Sequence, residues 1–187
     1  MSIVMEHLSK RFGTETVLTD FCWRVEGPTV LMGASGIGKT TLLRILMGLE
    51  TADSGSVSGV VRPAAVFQED RLCPQLNAVD NLLLTGHGLC AETAEQELLA
   101  LGFAPAELKL PAARLSGGQK RRVALLRALL CQDAETLLMD EPFTGMDAEL
   151  VRLAVQTTVR LVGRRPAILV THDLAAAQML GWPIREF

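Results

Sequence analysis

The chain has 187 residues, 49% of them hydrophobic, and a formal net charge of −3. That length fits one domain with ample material for a core, and the charge argues against broad nucleic-acid binding, so no nucleic-acid partner is expected. No apolar run approaches the roughly 20 residues of a membrane helix, and the opening "MSIVMEHLSKRFG" has no charged start followed by a long apolar block, so no signal peptide is expected.

In chain order, the start reads as short strands. Phe21, Trp23 and Val25 alternate with Cys22 and Arg24, the period of a half-buried strand. Thr29 to Met32 form a buried apolar run before a glycine loop, and a helix is predicted from Lys39 to Met47. "ADSG" (Ala52 to Gly55) is turn chemistry, and Ala64 to Phe67 read as a buried strand ending at Gln68. The texture then turns helical, in "NLLL" and "AETAEQELLALG". Gly102 suits a helix C-terminus and Pro105 the first turn of a further short helix. After this stretch come a helix from Gly117 to Leu130, a strand from Thr136 to Met139, a helix from Ala148 to Leu161, a strand from Ala167 to Thr171 and a last helix near Asp173. The alternation predicts one α/β domain with a mostly parallel sheet covered by helices. Residues 1–68 and 114–187 would form its core and 69–113 a helical insertion. Cys22, Cys73, Cys90 and Cys131 form no C-x-x-C pair and no ligand spacing with histidine, so they read as free thiols.

Three stretches carry chemistry. "GASGIGKT" (Gly33 to Thr40) matches the phosphate-loop pattern in full and sits between a strand and a helix, the context the pattern needs. Its glycines let backbone N–H groups converge on a phosphate, Lys39 reaches the terminal phosphates, and the Thr40 hydroxyl can hold Mg²⁺. "TLLMDEP" (Thr136 to Pro142) ends in two carboxylates. Asp140 would hold Mg²⁺, and Glu141 would orient and polarise an attacking water. His172 directly follows the strand "AILVT". It reads either as a structural histidine or as a donor to a γ-phosphate at the sheet edge. Gln68 is either an ordinary polar strand end or an uncharged ligand for Mg²⁺ or water.

A second glycine turn, "LSGGQ" (Leu115 to Gln119), opens a helix and so offers a further anion grip. It is followed by Lys120, Arg121, Arg122 and Arg127, a run that reads as a solvated helix face with Val123, Leu126 and Leu130 pointing inward.

Together these residues resemble the ATP-binding-cassette (ABC) ATPases over essentially the whole chain: Phe12, a Walker A loop, Gln68 as the Q-loop, the LSGGQ signature, Walker B with Glu141, a D-loop at "TGMD" (Thr144 to Asp147) and a switch histidine. The resemblance implies a P-loop NTPase fold with helices on both faces and a small antiparallel β-region near the N-terminus. It implies ATP and Mg²⁺ as cofactors and a head-to-tail dimer, with each ATP sandwiched between one chain's Walker A and the other's signature. The nucleotide would be held by Gly33, Ala34, Ser35, Gly36, Ile37, Gly38, Lys39, Thr40 and Thr41, and across the interface by Ser116, Gly117, Gly118 and Gln119. Mg²⁺ would be held by Thr40, Gln68 and Asp140. Glu141, with His172 and Gln68, would be catalytic, and Asp147 would couple the two sites. Phe12 has two readings, adenine's stacking partner or a core aromatic.

The resemblance further implies a membrane permease partner docked around residues 69–113, a solute-binding protein acting indirectly, and a place at the cytoplasmic face of the membrane. "QEDRLCP" (Gln68 to Pro74) looks most like nitrate, taurine and sulfonate importer cassettes, although Gln75 replaces their usual aromatic. The alternatives are a soluble non-transport ABC ATPase and a binding-only cassette. The stretch from Lys39 to Gln68 is short for the family, and the chain after His172 looks too short for its usual closing strands.

Overall fold

The computed structural model describes residues 2–86 and 88–187. Five strands, β3 (Pro28–Met32), β5 (Pro63–Val66), β6 (Thr136–Asp140), β7 (Ala167–Val170) and β8 (Ile184–Glu186), form a wholly parallel sheet in the order β5-β6-β7-β3-β8. Its central strands are continuous apolar runs because both faces are covered. Along β6, Leu137 and Met139 enter one core cluster and Leu138 the other; along β7, Ala167 and Leu169 oppose Ile168 and Val170 in the same way.

The first cluster lies under helices α2 (Ala78–Leu83), α3 (Ala91–Ala100), α4 (Gly117–Leu129), α5 (Ala148–Val162) and α6 (Leu174–Leu180). The second holds α1 (Lys39–Leu46) and a three-stranded antiparallel sheet, β2-β1-β4, built from β1 (Ile3–Phe12), β2 (Glu15–Val25) and β4 (Ser54–Ser58). Residues 69–113 contain α2, α3 and a short 3₁₀ turn at Glu107–Lys109, and a second, Ala112–Arg114, closes the stretch. They share a core with α4, since Leu82, Leu98 and Leu101 are fully buried in the same cluster as Leu125 and Leu126.

The structure changes several expectations. The opening strands are long, 10 and 11 residues. Register shifts between Met5 and Leu8, and again before Lys10, break the alternation that would have shown their length. "ADSG" turns only at its start, because Ser54 and Gly55 already belong to β4. Pro105 lies in the turn before a 3₁₀ turn at Glu107–Lys109, not inside it. Gly102 does take a left-handed φ of +74°, just past the cap of α3. The chain after His172 still supplies one closing strand, β8, which pairs in parallel with β3 and covers its free edge.

Candidate functional site

The parallel sheet brings the chemical residues to one edge. β3 and β6 both flank β7, in registers that pair Leu31 and Asp140 with Val170. The residues following these three strands therefore emerge side by side, at the carboxyl ends where open α/β sheets place ligands. β5 lies beside β6, with Val66 opposite Met139, and delivers Gln68 to the same edge.

After β3 the chain curls through residues 33–38 and enters α1 at Lys39. The Lys39 ammonium is buried and donates to the Gly33 and Ala34 carbonyls, at 2.7 Å each. Gly38 has φ +118°, and a Cβ there would lie 2.7 Å from Val17 Cγ1 and 2.8 Å from the Val17 carbonyl. Only glycine fits this left-handed, crowded position. Val17, on β2, was not legible as a site residue. It packs under the loop and lines, with Ser35, Lys39, Thr40, Gln68 and Asp140, a cleft of about 350 Å³, a size that suits a small ligand.

The Thr40 hydroxyl donates to Asp140 Oδ2 at 2.7 Å. Asp140 is 5% exposed, and burial pushes its carboxyl above the usual carboxylate range despite the Thr40 bond. A divalent cation at these hard oxygen donors would relieve that cost, so the pair fits Mg²⁺ chemistry.

Glu141 stands at φ +47°, a strained position for a side-chain-bearing residue. Its N–H donates to the Val170 carbonyl at 2.9 Å. Its carboxylate is fixed at both oxygens: Oε1 lies 2.7 Å from His172 Nδ1, and Oε2 accepts from the Thr171 hydroxyl at 3.1 Å. The Glu141 carboxylate raises the His172 pKa above its ordinary value by hydrogen bond and charge. Thr171, itself 2% exposed, was missed in the sequence; its one signal was its place before His172 at a strand end.

The signature turn is built differently. Ser116 is the exposed N-cap of α4, and its hydroxyl accepts from Gln119 N at 3.2 Å while Gln119 Oε1 accepts from Ser116 N at 2.8 Å, a reciprocal capping box. The other end of the Gln119 amide donates to Glu107 at 2.8 Å, so this side chain braces the turn. A Cβ at Gly118 would lie 2.7 Å from the Gly145 carbonyl, so only glycine lets the D-loop pass this close. Asp147 is exposed and caps α5 through Leu150 N at 2.9 Å. A second cleft of about 430 Å³ opens between Gly117 and Gly118 on one side and Glu141 and His172 on the other.

Phe12 is 47% exposed at the end of β1, outside the core, with the Lys10 ammonium 5.0 Å from its ring. Gln68 borders both clefts.

The arginines of the basic run do not form a solvated face. Arg121 and Arg122 are buried and Arg127 is half-buried, and burial lowers the pKa of Arg122 and Arg127. Each guanidinium is accommodated by carbonyl oxygens. Arg122 donates to Gly118 and Leu101 and lies over the Phe103 ring, while Arg127 donates to the Asp70 and Arg71 carbonyls. Val123, Leu126 and Leu130 point inward as expected.

Comparison with known proteins agrees with this geometry. A family model described as "ABC transporter" matches residues 20–144. The chain is 38% identical to the aliphatic sulfonates import ATP-binding protein SsuB of Pectobacterium atrosepticum, covering 94% of this chain and 70% of that protein. It is 43% identical to SsuB 1 of Rhodococcus jostii (92% and 74%) and 40% identical to the Fe(3+) ions import ATP-binding protein FbpC of Agrobacterium fabrum (92% and 54%). The fold superposes on the dimeric structure of MJ0796, a bacterial ABC transporter cassette, with a TM-score of 0.79 at 25% identity over 95% of this chain and 90% of that one. A post-hydrolysis dimer of the same cassette bound to ADP and Pi gives 0.81 at 24%. With the phosphate loop, both carboxylates and His172 at one sheet edge, the chain belongs to the ABC transporter family, as an ATP-binding ATPase subunit.

Proposed function

We propose that this chain powers a small-solute importer by hydrolysing ATP between two copies arranged head to tail. The observation that carries the reading is the constellation at the sheet edge: Lys39 inside its loop, Thr40 on Asp140, and Glu141 held by Thr171 and His172.

In this reading the loop from Gly33 to Thr41 binds the phosphates through its N–H groups and Lys39. Thr40, Asp140 and Gln68 hold Mg²⁺, which when bound offsets the phosphate charge. Glu141 takes the proton of the attacking water as general base. Thr171 and His172 fix its two oxygens, so the carboxylate needs little rearrangement at the moment of reaction. His172, whose proton is held more firmly than usual, can donate to the γ-phosphate. Ser116, Gly117 and Gly118 face outward and complete the neighbour's site. Gln119 acts there by holding Ser116, and Asp147 links the two sites. Phe12 is free to stack on adenine.

A membrane permease would dock over residues 69–113 and the adjoining Q-loop, where Arg44, Met47, Phe67, Glu69 and Arg71 border a hollow. Among the described residues no helix is long and apolar enough to cross a membrane, which suits a peripheral subunit at the cytoplasmic face. The importer relatives favour transport over a soluble, non-transport role. They are named for the import of two different cargoes, aliphatic sulfonates and Fe(3+) ions, which supports a small solute as the cargo class here; in this reading a solute-binding protein acts indirectly, through the permease.

Glu141→Gln tests the reading. It keeps the side chain's shape but removes the base, replacing one accepting oxygen by an NH2 donor, so kcat should fall by about 100-fold or more with ATP affinity retained. Wild-type turnover in that variant would refute it.

A further inference from the structure

The Arg121 guanidinium joins two segments that the chemistry must coordinate. On one side it donates to the Phe67 carbonyl, to the Gln68 carbonyl at 3.3 Å and to Asp70 Oδ1 at 3.4 Å. On the other, Nη2 donates to the Asp140 carbonyl at 2.7 Å and the Glu141 carbonyl at 2.6 Å, and Nε donates again to Glu141 at 3.1 Å. The side chain is 5% exposed, so these oxygens replace its hydration. Its planar fork allows contact with both sides at once.

Glu141 is the residue at φ +47°. Its N–H is pinned by Val170, and its carbonyl is pinned by Arg121. The strained peptide that aims the carboxylate at His172 is therefore held from the same guanidinium that holds the Q-loop. Arg127, six residues along α4, holds the next Q-loop carbonyls, Asp70 and Arg71, so the same helix braces this segment a second time.

We propose that Arg121 is a positioning residue that couples the Q-loop to the general base. A shift of the segment around Gln68, whether from the metal and phosphate or from the permease, reaches Glu141 through this one guanidinium and sets the aim of its carboxylate. The proposal rests on Glu141 being the base, and it adds a residue that acts through Glu141.

The test compares steady-state ATPase and nucleotide affinity in Arg121→Gln, Arg121→Lys, Asp70→Ala, which removes the one side chain of the Q-loop segment that Arg121 contacts, and the double variant Asp70→Ala/Arg121→Gln. Arg121→Gln should lower kcat about 10- to 100-fold, as misplacement of a reacting group by an ångström does, and leave nucleotide affinity within about two-fold. Arg121→Lys, a point charge unable to span both sides, should recover only part of that loss. If Arg121→Gln does not fold, Arg121→Lys reads the same split. The double variant should be no slower than the worse single variant, because both changes cut the same contact between Arg121 and the Q-loop segment. A brace that only supports the fold would lower the melting temperature and add its effect to that of Asp70→Ala. Wild-type kcat in both Arg121 variants, or additive losses in the double variant, would overturn the proposal. Glu141→Gln separates the two levels. If it is inactive while the Arg121 variants are unimpaired, only the coupling fails; if it retains turnover, the base assignment and the coupling fall together.

Discussion

The two glycine turns, 33–38 and 115–119, both open a helix, yet they solve opposite problems. The first closes around a cation. Lys39 is buried among the loop's own carbonyls, Asp140 stands across the cleft on Thr40, and a strand fixes the loop from below. The second closes on itself without a cation. Ser116 and Gln119 cap one another, and the arginines that follow turn inward to carbonyl oxygens. A helix start with its positive end exposed and no lysine buried inside the turn is half of an anion site. The difference teaches that position in a helix does not make a complete phosphate site; the buried cation and the facing carboxylate do.

The largest effect that would break this comparison belongs to Lys39→Ala. Loss of a charge-assisted hydrogen bond to phosphate costs about 1.5–3 kcal/mol, or roughly 10- to 100-fold in ATP affinity. Isothermal titration of ATP into the variant measures it, and unchanged affinity would put the two turns on an equal footing. A smaller effect sharpens the first side. His172 is raised above its ordinary pKa by the Glu141 carboxylate, so Glu141→Gln should let it fall back toward the usual value, read by NMR titration of the imidazole. Since the folded value is the higher one, the stability this pair contributes is full below the unfolded pKa of histidine. It fades as pH rises through the folded value. His172 is largely exposed, so solvent keeps the contribution small. An imidazole titration indifferent to Glu141 would contradict the contact.

Much of this was legible because the pattern was local. The strand-loop-helix from Thr29 to Met47, and the carboxylate pair at the end of an apolar strand, state their chemistry in a few consecutive residues. Other features depend on distant partners. β1 and β2 run past their visible alternation because bulges absorb the shifts in phase. β8 is three residues, Ile184 to Glu186, with no pattern of its own; the open edge of β3 makes it a strand. The arginines of α4 look solvated in sequence because charge is normally exposed. Arg121 is buried only because two loops from elsewhere in the chain present carbonyls to it. Val17 carries no signal and Thr171 only its place before His172; they join the site through packing and one hydroxyl.

The central claim is that the turn at Ser116 is completed by a second copy. The most direct measurement is the mass in solution, by light scattering with and without Mg-ATP, of Glu141→Gln and of Glu141→Gln/Ser116→Arg. The first should become a dimer on adding ATP. The second should bind ATP with the same affinity and remain a monomer, because the arginine fills the place of the neighbour's phosphate. A Glu141→Gln chain that stays monomeric with ATP bound, or a Ser116→Arg change that weakens ATP binding by the monomer, would contradict the account.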